Sequence, residues 1–276
     1  MNSDSNLVKA RISSEFTCSH IHCSHTYSNS LIPIYQAVHA RFQKLLLSLR
    51  INMKISKDTY WIIDFDSTFV RVECMPELAR ISLASNPAKE KIVKEIQMIT
   101  DMGMNGEISF KESLSRRVKL LHATKSHIDD LVIRLKDQIS LSILRQREFI
   151  KSNNQSIYVI TGGFKEFVLP VVSEFGISKN KVLANEFIYD SNGNIIGFDE
   201  SNPLADAYGK ARVVERLNLG KNAIIIGDGM TDYEIKEKGY ASKFIVFVEN
   251  VNRPTAVAKA DFVAHGFDEI ISKYAA

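Results

Sequence analysis

The sequence predicts an α/β protein in which a doubly wound parallel sheet carries an inserted helical cap domain. Two observations predict the sheet: six short β-rich runs are spread along the chain, and helical patterns separate them. A third observation predicts the insertion, because about residues 75–146, between the first two runs, contain helical patterns and no strand candidate. An ordinary crossover between parallel strands is much shorter.

The strand candidates are rich in Val, Ile and aromatic residues, and polar or turn residues bound them. They are YWIIDF, SIYVIT, KVLAN, AIIIGD, KFIVFV and DFVAH, which begin at positions 60, 156, 181, 223, 243 and 261. The segment EFIYDSNGNIIGFD follows the third candidate. Its Asn192-Gly193 pair lies between two β-rich runs and predicts a β-hairpin.

Three helices are predicted in the insertion, over residues 87–99, 109–122 and 126–139. Ser126 is the predicted N-cap of the third, with Asp129 in its first turn. The predicted domains are therefore an α/β core at 53–74 and 147–276 and a helical cap at 75–146.

Residues 1–52 are rich in Ser and His and poor in acids, and we predict a poorly ordered or partly helical extension. Residues 31–51 have the apolar spacing of an amphipathic helix, so an organelle transit peptide is the alternative to a dispensable extension or an upstream start codon. The motif CSHIHCSH at 18–25 could bind zinc, but structural zinc sites usually pair two separated clusters and the sequence has no second one. A polar tract is the favoured interpretation.

Composition restricts the classes of partner. A net charge of +3 with interspersed acids and bases argues against nucleic acid and favours a small-molecule substrate. No apolar run approaches the ~18 residues that span a bilayer, so no membrane partner is expected. Three cysteines do not make a disulfide framework in 276 residues, which favours a reducing compartment, the cytoplasm. A homodimer stays open.

Polar side chains follow three of the predicted strands. Because ligands of open α/β sheets bind beyond the carboxyl ends of the strands, these residues are candidates for a site. Clustered carboxylates favour a hard cation such as Mg²⁺, and glycine N–H groups beside a hydroxyl suit phosphate oxygens. The residues are Asp64, Asp66 and Thr68; Thr161, Gly162 and Gly163; and Asp228, Thr231 and Asp232.

Four motifs in this order, DFDST, TGGF, the lysine of AYGKARVV and GDGMTD, resemble those of the haloacid dehalogenase superfamily of aspartate-nucleophile phosphatases. The resemblance covers roughly residues 57–270, and its finer pattern is similar to the phosphoserine phosphatases. It implies a Rossmann-like core, a Mg²⁺ cofactor and hydrolysis through an aspartyl-phosphate.

The resemblance also implies roles for individual residues. Asp64 is the expected nucleophile. Asp66 is the expected general acid and base, and its backbone carbonyl is an expected ligand of the metal. Asp64 and Asp228 are the expected carboxylate ligands of Mg²⁺. Lys210 is expected to neutralise charge at the phosphate, and Asp232 to orient the metal waters or Lys210.

Substrate selection is expected from the cap. The resemblance implies that Glu73 receives the ammonium group of the substrate and that Arg117 receives its carboxylate. It also implies that Met104 and Phe110 form apolar walls of the pocket and that Thr231 belongs to the substrate site. Phe110 and Arg117 are two helical turns apart and share a face, which favours Arg117 over its neighbour Arg116. The pair of charges fits L-phosphoserine.

Two alternatives remain at this level. One is a phosphatase or phosphotransferase of the same superfamily that acts on another small phosphomonoester, such as phosphoethanolamine or phosphohomoserine. The other is a receiver-like signalling module that is phosphorylated on an aspartate. Receivers lack a helical cap and a second acid two residues after the nucleophile, so Asp66 and residues 75–146 argue against it.

Overall fold

A computed structural model of the 276-residue chain describes Arg41, residues 53–104 and residues 107–276. The predicted extension, with its amphipathic segment and its CSHIHCSH motif, lies outside the described residues apart from Arg41. The described residues from Met53 onward belong to one compact unit. Within this described part of the chain, no helix is both long and apolar enough to cross a membrane.

A six-stranded, entirely parallel sheet confirms the predicted fold class. The strands are β1 Tyr60–Ile63, β2 Ile157–Phe164, β3 Val182–Asn185, β4 Phe187–Tyr189, β5 Ile195–Phe198, β6 Ala223–Gly227, β7 Lys243–Phe247 and β8 Phe262–Ala264. The strand order in the sheet is β3-β2-β1-β6-β7-β8, so β1 lies between β2 and β6 in the middle of the sheet. The predicted hairpin forms a separate antiparallel pair, β4 and β5.

The described part of the connection between β1 and β2 contains several helices and no strand, as predicted. Their apolar faces belong to the same buried cluster as one face of the sheet: Leu78, Ile96, Leu114 and Leu131 lie in one cluster with Trp61. The first five α-helices of this connection are α1 Cys74–Ser82, α2 Lys89–Met104, α3 Phe110–Leu121, α4 Lys125–Lys136 and α5 Leu141–Arg145. The division into cap and core at residues 75–146 stays a prediction.

The predicted start of α4 was wrong, and Asp129 lies beyond its first turn, which contains no acidic residue. Thr124, not Ser126, is the N-cap, and its Oγ1 accepts from the N–H of His127. The Nδ1 atom of His127 accepts in turn from the N–H of Thr124 at 3.1 Å, which closes a reciprocal capping box. The imidazole at the third helical position therefore favours the threonine over the serine two residues later.

Two clusters of buried side chains cover the two faces of the sheet. Along β1, Trp61 and Ile63 belong to one cluster and Ile62 to the other, because successive strand side chains point to opposite faces. The remaining helices contribute to these clusters: α6 Arg147–Ser152, α7 Lys165–Val172 and α11 Phe267–Tyr274 to the first, and α8 Gly209–Leu217, α9 Met230–Glu237 and α10 Pro254–Val257 to the second.

The hairpin turns at Gly193, whose φ of 79° suits glycine. The hairpin also forms hydrogen bonds with the turn between α3 and α4. The N–H of Lys125 donates to Gly193 O at 3.0 Å, and the N–H of Ile195 donates to Ala123 O at 2.8 Å. These bonds join the α3–α4 turn to a hairpin that comes more than sixty residues later, a contact that the sequence did not predict.

Candidate active site

The central strands bring the predicted acidic residues together at one edge of the sheet. Asp64 directly follows β1 and Asp228 directly follows the neighbouring β6. The N–H of Asp64 donates to Ile226 O at 2.9 Å, which extends the parallel ladder to the carboxylate. Thr161, Gly162 and Gly163 lie within β2, the other neighbour of β1. The site therefore sits where three adjacent strands end.

A wide turn follows β1 and contains Asp66, the second acid of the DFDST motif. The N–H of Phe69 donates to Asp64 O at 3.2 Å and that of Val70 to Phe65 O at 3.0 Å, both five residues apart. Ser67 has a left-handed backbone with φ 56°. The turn leaves the Asp66 carboxylate beside the start of α1, where Oδ1 accepts the N–H of Cys74 at 2.7 Å.

The Asp66 carboxyl group is a weaker acid than usual. Burial raises its pKa to about 6, against the opposing effect of its hydrogen bonds with Cys74. Its Oδ2 faces Gly163 so closely that a Cβ on that glycine would lie 3.0 Å from it. A group with this pKa can both hold and release a proton near neutral pH.

Lys210 joins two buried carboxylates. Its Nζ atom lies 2.8 Å from an oxygen of Asp64 and 2.8 Å from an oxygen of Asp232. Burial disfavours the ammonium form, but the charges of Asp232 and Asp64 outweigh burial and raise the pKa of Lys210. Lys210 is therefore a permanent cation beside Asp64.

The acidic cluster carries more negative charge than Lys210 neutralises. One oxygen from each of Asp64, Asp228 and Asp232 lies within 4.8 Å of the others, and all three residues are buried. Burial, together with the charge of Asp64, raises the pKa of Asp228 to about 6 and that of Asp232 to about 8. This excess of closely spaced carboxylate oxygens fits a hard divalent cation.

Glu73 and Arg117 reach the site from the helices between β1 and β2. Arg117 is buried, and its Nε donates to Ser113 O at 3.3 Å, while its two Nη groups donate to no described residue. Arg116 instead is exposed and pairs with Glu112 on the surface. Burial raises the pKa of Glu73, whose Oε1 accepts from Ser67 Oγ at 2.7 Å.

Arg253 is a site residue that the sequence analysis missed. Its Nε donates to Asp228 Oδ2 at 2.6 Å, and its Nη2 lies 3.4 Å from Glu73 Oε1. It lies in the loop after β7, close to Asn250, whose Nδ2 donates to Ser67 O at 3.0 Å. The available signal was that β7 also ends in polar residues, at the same edge of the sheet.

A cavity of about 170 Å³ connects these groups. Three predicted residues are not among those that line it. Asp232 is buried behind the cavity wall, where it contacts Lys210, and Thr68 is buried with its Oγ1 atom 3.5 Å from Asp228 Oδ1. The side chain of Met104 is outside the described ones. The other predicted site residues line the cavity: Asp64, Asp66, Glu73, Phe110, Arg117, Thr161, Gly162, Gly163, Lys210, Asp228 and Thr231.

Known proteins are similar to this chain in sequence and in fold. Residues 62–235 match the model of the haloacid dehalogenase-like hydrolases. The chloroplastic phosphoserine phosphatase of Arabidopsis thaliana is 30% identical over 76% of this chain and 69% of its own, and the phosphoserine phosphatase of Homo sapiens is 30% identical over 76% and 90%. A solved phosphoserine phosphohydrolase-like protein from Francisella tularensis superposes with a TM-score of 0.69 at 32% identity, over 78% of this chain and 99% of that one. The match to the family model, over well more than half of the sequence, establishes that the chain belongs to the haloacid dehalogenase-like hydrolases.

Proposed function

We propose that this enzyme hydrolyses L-phosphoserine to L-serine and phosphate. The observation that carries the proposal is that an acid, Glu73, and a buried arginine, Arg117, line the same cavity as Asp64. A phosphate ester that also bears an ammonium and a carboxylate group would satisfy all three. The names of the similar plant, human and bacterial proteins support the same substrate.

Asp64 is the proposed nucleophile. Its oxygen attacks phosphorus, the ester bond breaks, and the phosphoryl group is held on the aspartate until water displaces it. Lys210, 2.8 Å from Asp64, offsets the repulsion between the carboxylate and the incoming phosphate. Thr161 and the N–H group of Gly162 are the proposed cradle for the remaining phosphate oxygens. The N–H of Gly163 donates to Thr161 Oγ1 at 2.9 Å and would hold that hydroxyl in place.

Asp66 is the proposed general acid and base. Its pKa of about 6 allows it to protonate the departing serine oxygen and then accept a proton from the attacking water. The contact with the N–H of Cys74 orients the carboxylate toward the cavity. Arg253, between Glu73 and Asp228, is a second fixed cation beside the acidic cluster.

Mg²⁺ is the proposed cofactor. The carboxylates of Asp64 and Asp228 and the backbone carbonyl of Asp66 would hold it, and Asp232 would keep Lys210 in place beside them. When bound, the ion supplies positive charge against the phosphate oxygens. The donor set fits, because the clustered groups are oxygen ligands in excess of the nearby positive charge.

The helical segment is the proposed lid, with residues 75–146 as the cap. Phe110, at the start of α3, packs against Gly162 so closely that a Cβ on that glycine would lie 2.8 Å from Phe110 Cζ. Lys111 also pairs with Glu200 at 2.8 Å, across from the α3 N-terminus. The lid therefore rests directly on the proposed phosphate cradle, where it would exclude water.

Changing Gly162 to Ala is expected to lower kcat/KM for phosphoserine roughly tenfold or more, because the methyl group displaces Phe110 and loosens lid closure. Steady-state kinetics with a thermal melt checks this. Gly197→Ala is the matched control, since a Cβ at Gly197 meets nothing within 4 Å. Equal kinetics for the two variants would contradict the proposed lid contact.

Phosphate release from a panel of esters tests the function. With Mg²⁺, we expect kcat/KM for L-phosphoserine to exceed that for phosphoethanolamine by about 10² or more, because phosphoethanolamine lacks the carboxylate for Arg117. Removing divalent cations with EDTA should stop turnover, and added Mg²⁺ should restore it. Equal use of both esters would favour the alternative that the enzyme acts on another small phosphomonoester. The receiver alternative is not supported, because the chain belongs to a family of hydrolases.

Compartment and assembly stay predictions. The cytoplasm is the predicted location, with an organelle as the alternative if residues 1–52 act in targeting, and the chloroplast location named for the Arabidopsis relative applies to that protein. A homodimer remains open, and neither nucleic acid nor a membrane is a predicted partner.

A further inference from the structure

Tyr208 has a backbone conformation that is costly for its residue type. It immediately precedes α8, which carries Lys210, and it has φ 55° and ψ 19° in the left-handed region. That region is disfavoured for large L side chains and is freely available to glycine. Residues that keep such a conformation cluster at functional sites.

The turn around Tyr208 is fixed by its neighbours. The N–H of Gly209 donates to Asp206 O at 3.1 Å, and the N–H of Arg212 donates to Tyr208 O at 3.0 Å. A Cβ on Gly209 would lie 2.3 Å from Pro203 O, so the backbone packs tightly there. These contacts impose the left-handed backbone conformation on position 208. They do not involve the side chain of Tyr208.

The side chain of Tyr208 is not held by the core. It is 48% exposed and it lines the catalytic cavity, together with Ala207 and Glu234. The ammonium group of Lys238 lies 4.7 Å from the centre of its ring, which restricts the ring position. The ring thus lies at the open side of the cavity, on the wall that also carries Lys210.

We propose that Tyr208 is a specificity-determining residue, whose ring narrows the mouth of the catalytic cavity and discriminates against phosphate esters with bulky leaving groups. The inference rests on the proposed phosphatase function of this site. A cavity of about 170 Å³ suits a small ester, and an aromatic ring at its mouth excludes a large one by direct contact. This role explains why position 208 keeps an exposed ring on a backbone that favours glycine.

The test compares 4-nitrophenyl phosphate with acetyl phosphate. Both have good leaving groups and neither has an ammonium or a carboxylate, so the ratio of their kcat/KM values reports leaving-group size and does not depend on Glu73 or Arg117. We expect the ratio of nitrophenyl to acetyl phosphate to rise about tenfold or more in both Tyr208→Gly and Tyr208→Ala. Tyr208→Phe keeps the ring and should restore the wild-type ratio.

Asn218→Gly is the matched control. Asn218 ends the same helix with φ 49°, so glycine relieves a similar backbone cost there, but it does not line the cavity. Tyr208→Gly should keep the thermal midpoint of the wild type because glycine adopts this backbone freely. An unchanged ratio in both Tyr208→Gly and Tyr208→Ala would overturn the inference. A wild-type enzyme that uses 4-nitrophenyl phosphate and acetyl phosphate but not phosphoserine would instead overturn the proposed substrate and leave the ratio test valid. An enzyme inactive on all three compounds would overturn both.

Discussion

Asp64→Asn is expected to abolish phosphate release from phosphoserine, with kcat falling at least about 10⁴-fold. The amide has nearly the same shape as the carboxylate, but it cannot serve as the anionic nucleophile. Lys210 keeps its 2.8 Å contact with Asp232, so the fold should survive the change. Steady-state turnover with a thermal melt measures both effects.

A second measurement separates nucleophilic loss from general damage to the site. The reaction with phosphoserine that carries a radioactive phosphorus atom is quenched rapidly with acid. The wild type should then retain covalent label and Asp64→Asn should retain none. Asp58→Asn is the control, because Asp58 is exposed in the turn before β1 and is remote from the cavity residues. Label on the Asp64→Asn protein would assign the nucleophile to another residue.

Arg117→Ala is expected to lower kcat/KM for phosphoserine by about 10²-fold or more and to change that for phosphoethanolamine less than about threefold. The guanidinium is buried, and its two Nη groups are unpaired among the described residues, so we propose a substrate carboxylate as their partner. The loss should therefore follow the carboxylate of the substrate. Kinetics with both esters measure the difference.

Arg116→Ala is the matched control for this variant. Arg116 lies on the same helix, is exposed and pairs with Glu112 on the surface, so its removal should leave both substrates unaffected. Arg117→Lys should recover only part of the activity, because an ammonium group keeps the charge but not the two parallel hydrogen bonds. An equal loss for both esters in Arg117→Ala would show that Arg117 supports the lid and does not read the carboxylate.

Much of the fold could be predicted because its signals are local. The six β-rich runs correspond to the six strands of the parallel sheet, and Asn192-Gly193 forms the predicted hairpin turn. Helix periodicity favoured Arg117 over Arg116, and their burial agrees with that choice. Only the N-cap of α4 was misjudged among these features, because the His127 side chain that completes the capping box is not a usual cap partner.

The missed features depend on contacts between distant segments. Arg253 lies 180 residues from Glu73 and 25 from Asp228 along the chain, so no local pattern links it to either. The bonds between the hairpin and the α3–α4 turn, and the left-handed backbone of Tyr208, likewise arise from how separate elements pack. Sequence spacing carries no information on such pairings unless a motif is already known.

The sequence by itself determined the fold class and the order of the chemical groups, because strand alternation, helix periodicity and turn residues act over a few neighbouring positions. Only the tertiary structure decided which charges face one another: Lys210 between Asp64 and Asp232, and Arg253 between Glu73 and Asp228. Electrostatic energy depends on distances in space and on burial. The packing of strand ends and helices sets both, and so it sets the pKa values and the vacant hydrogen-bonding groups of the cavity.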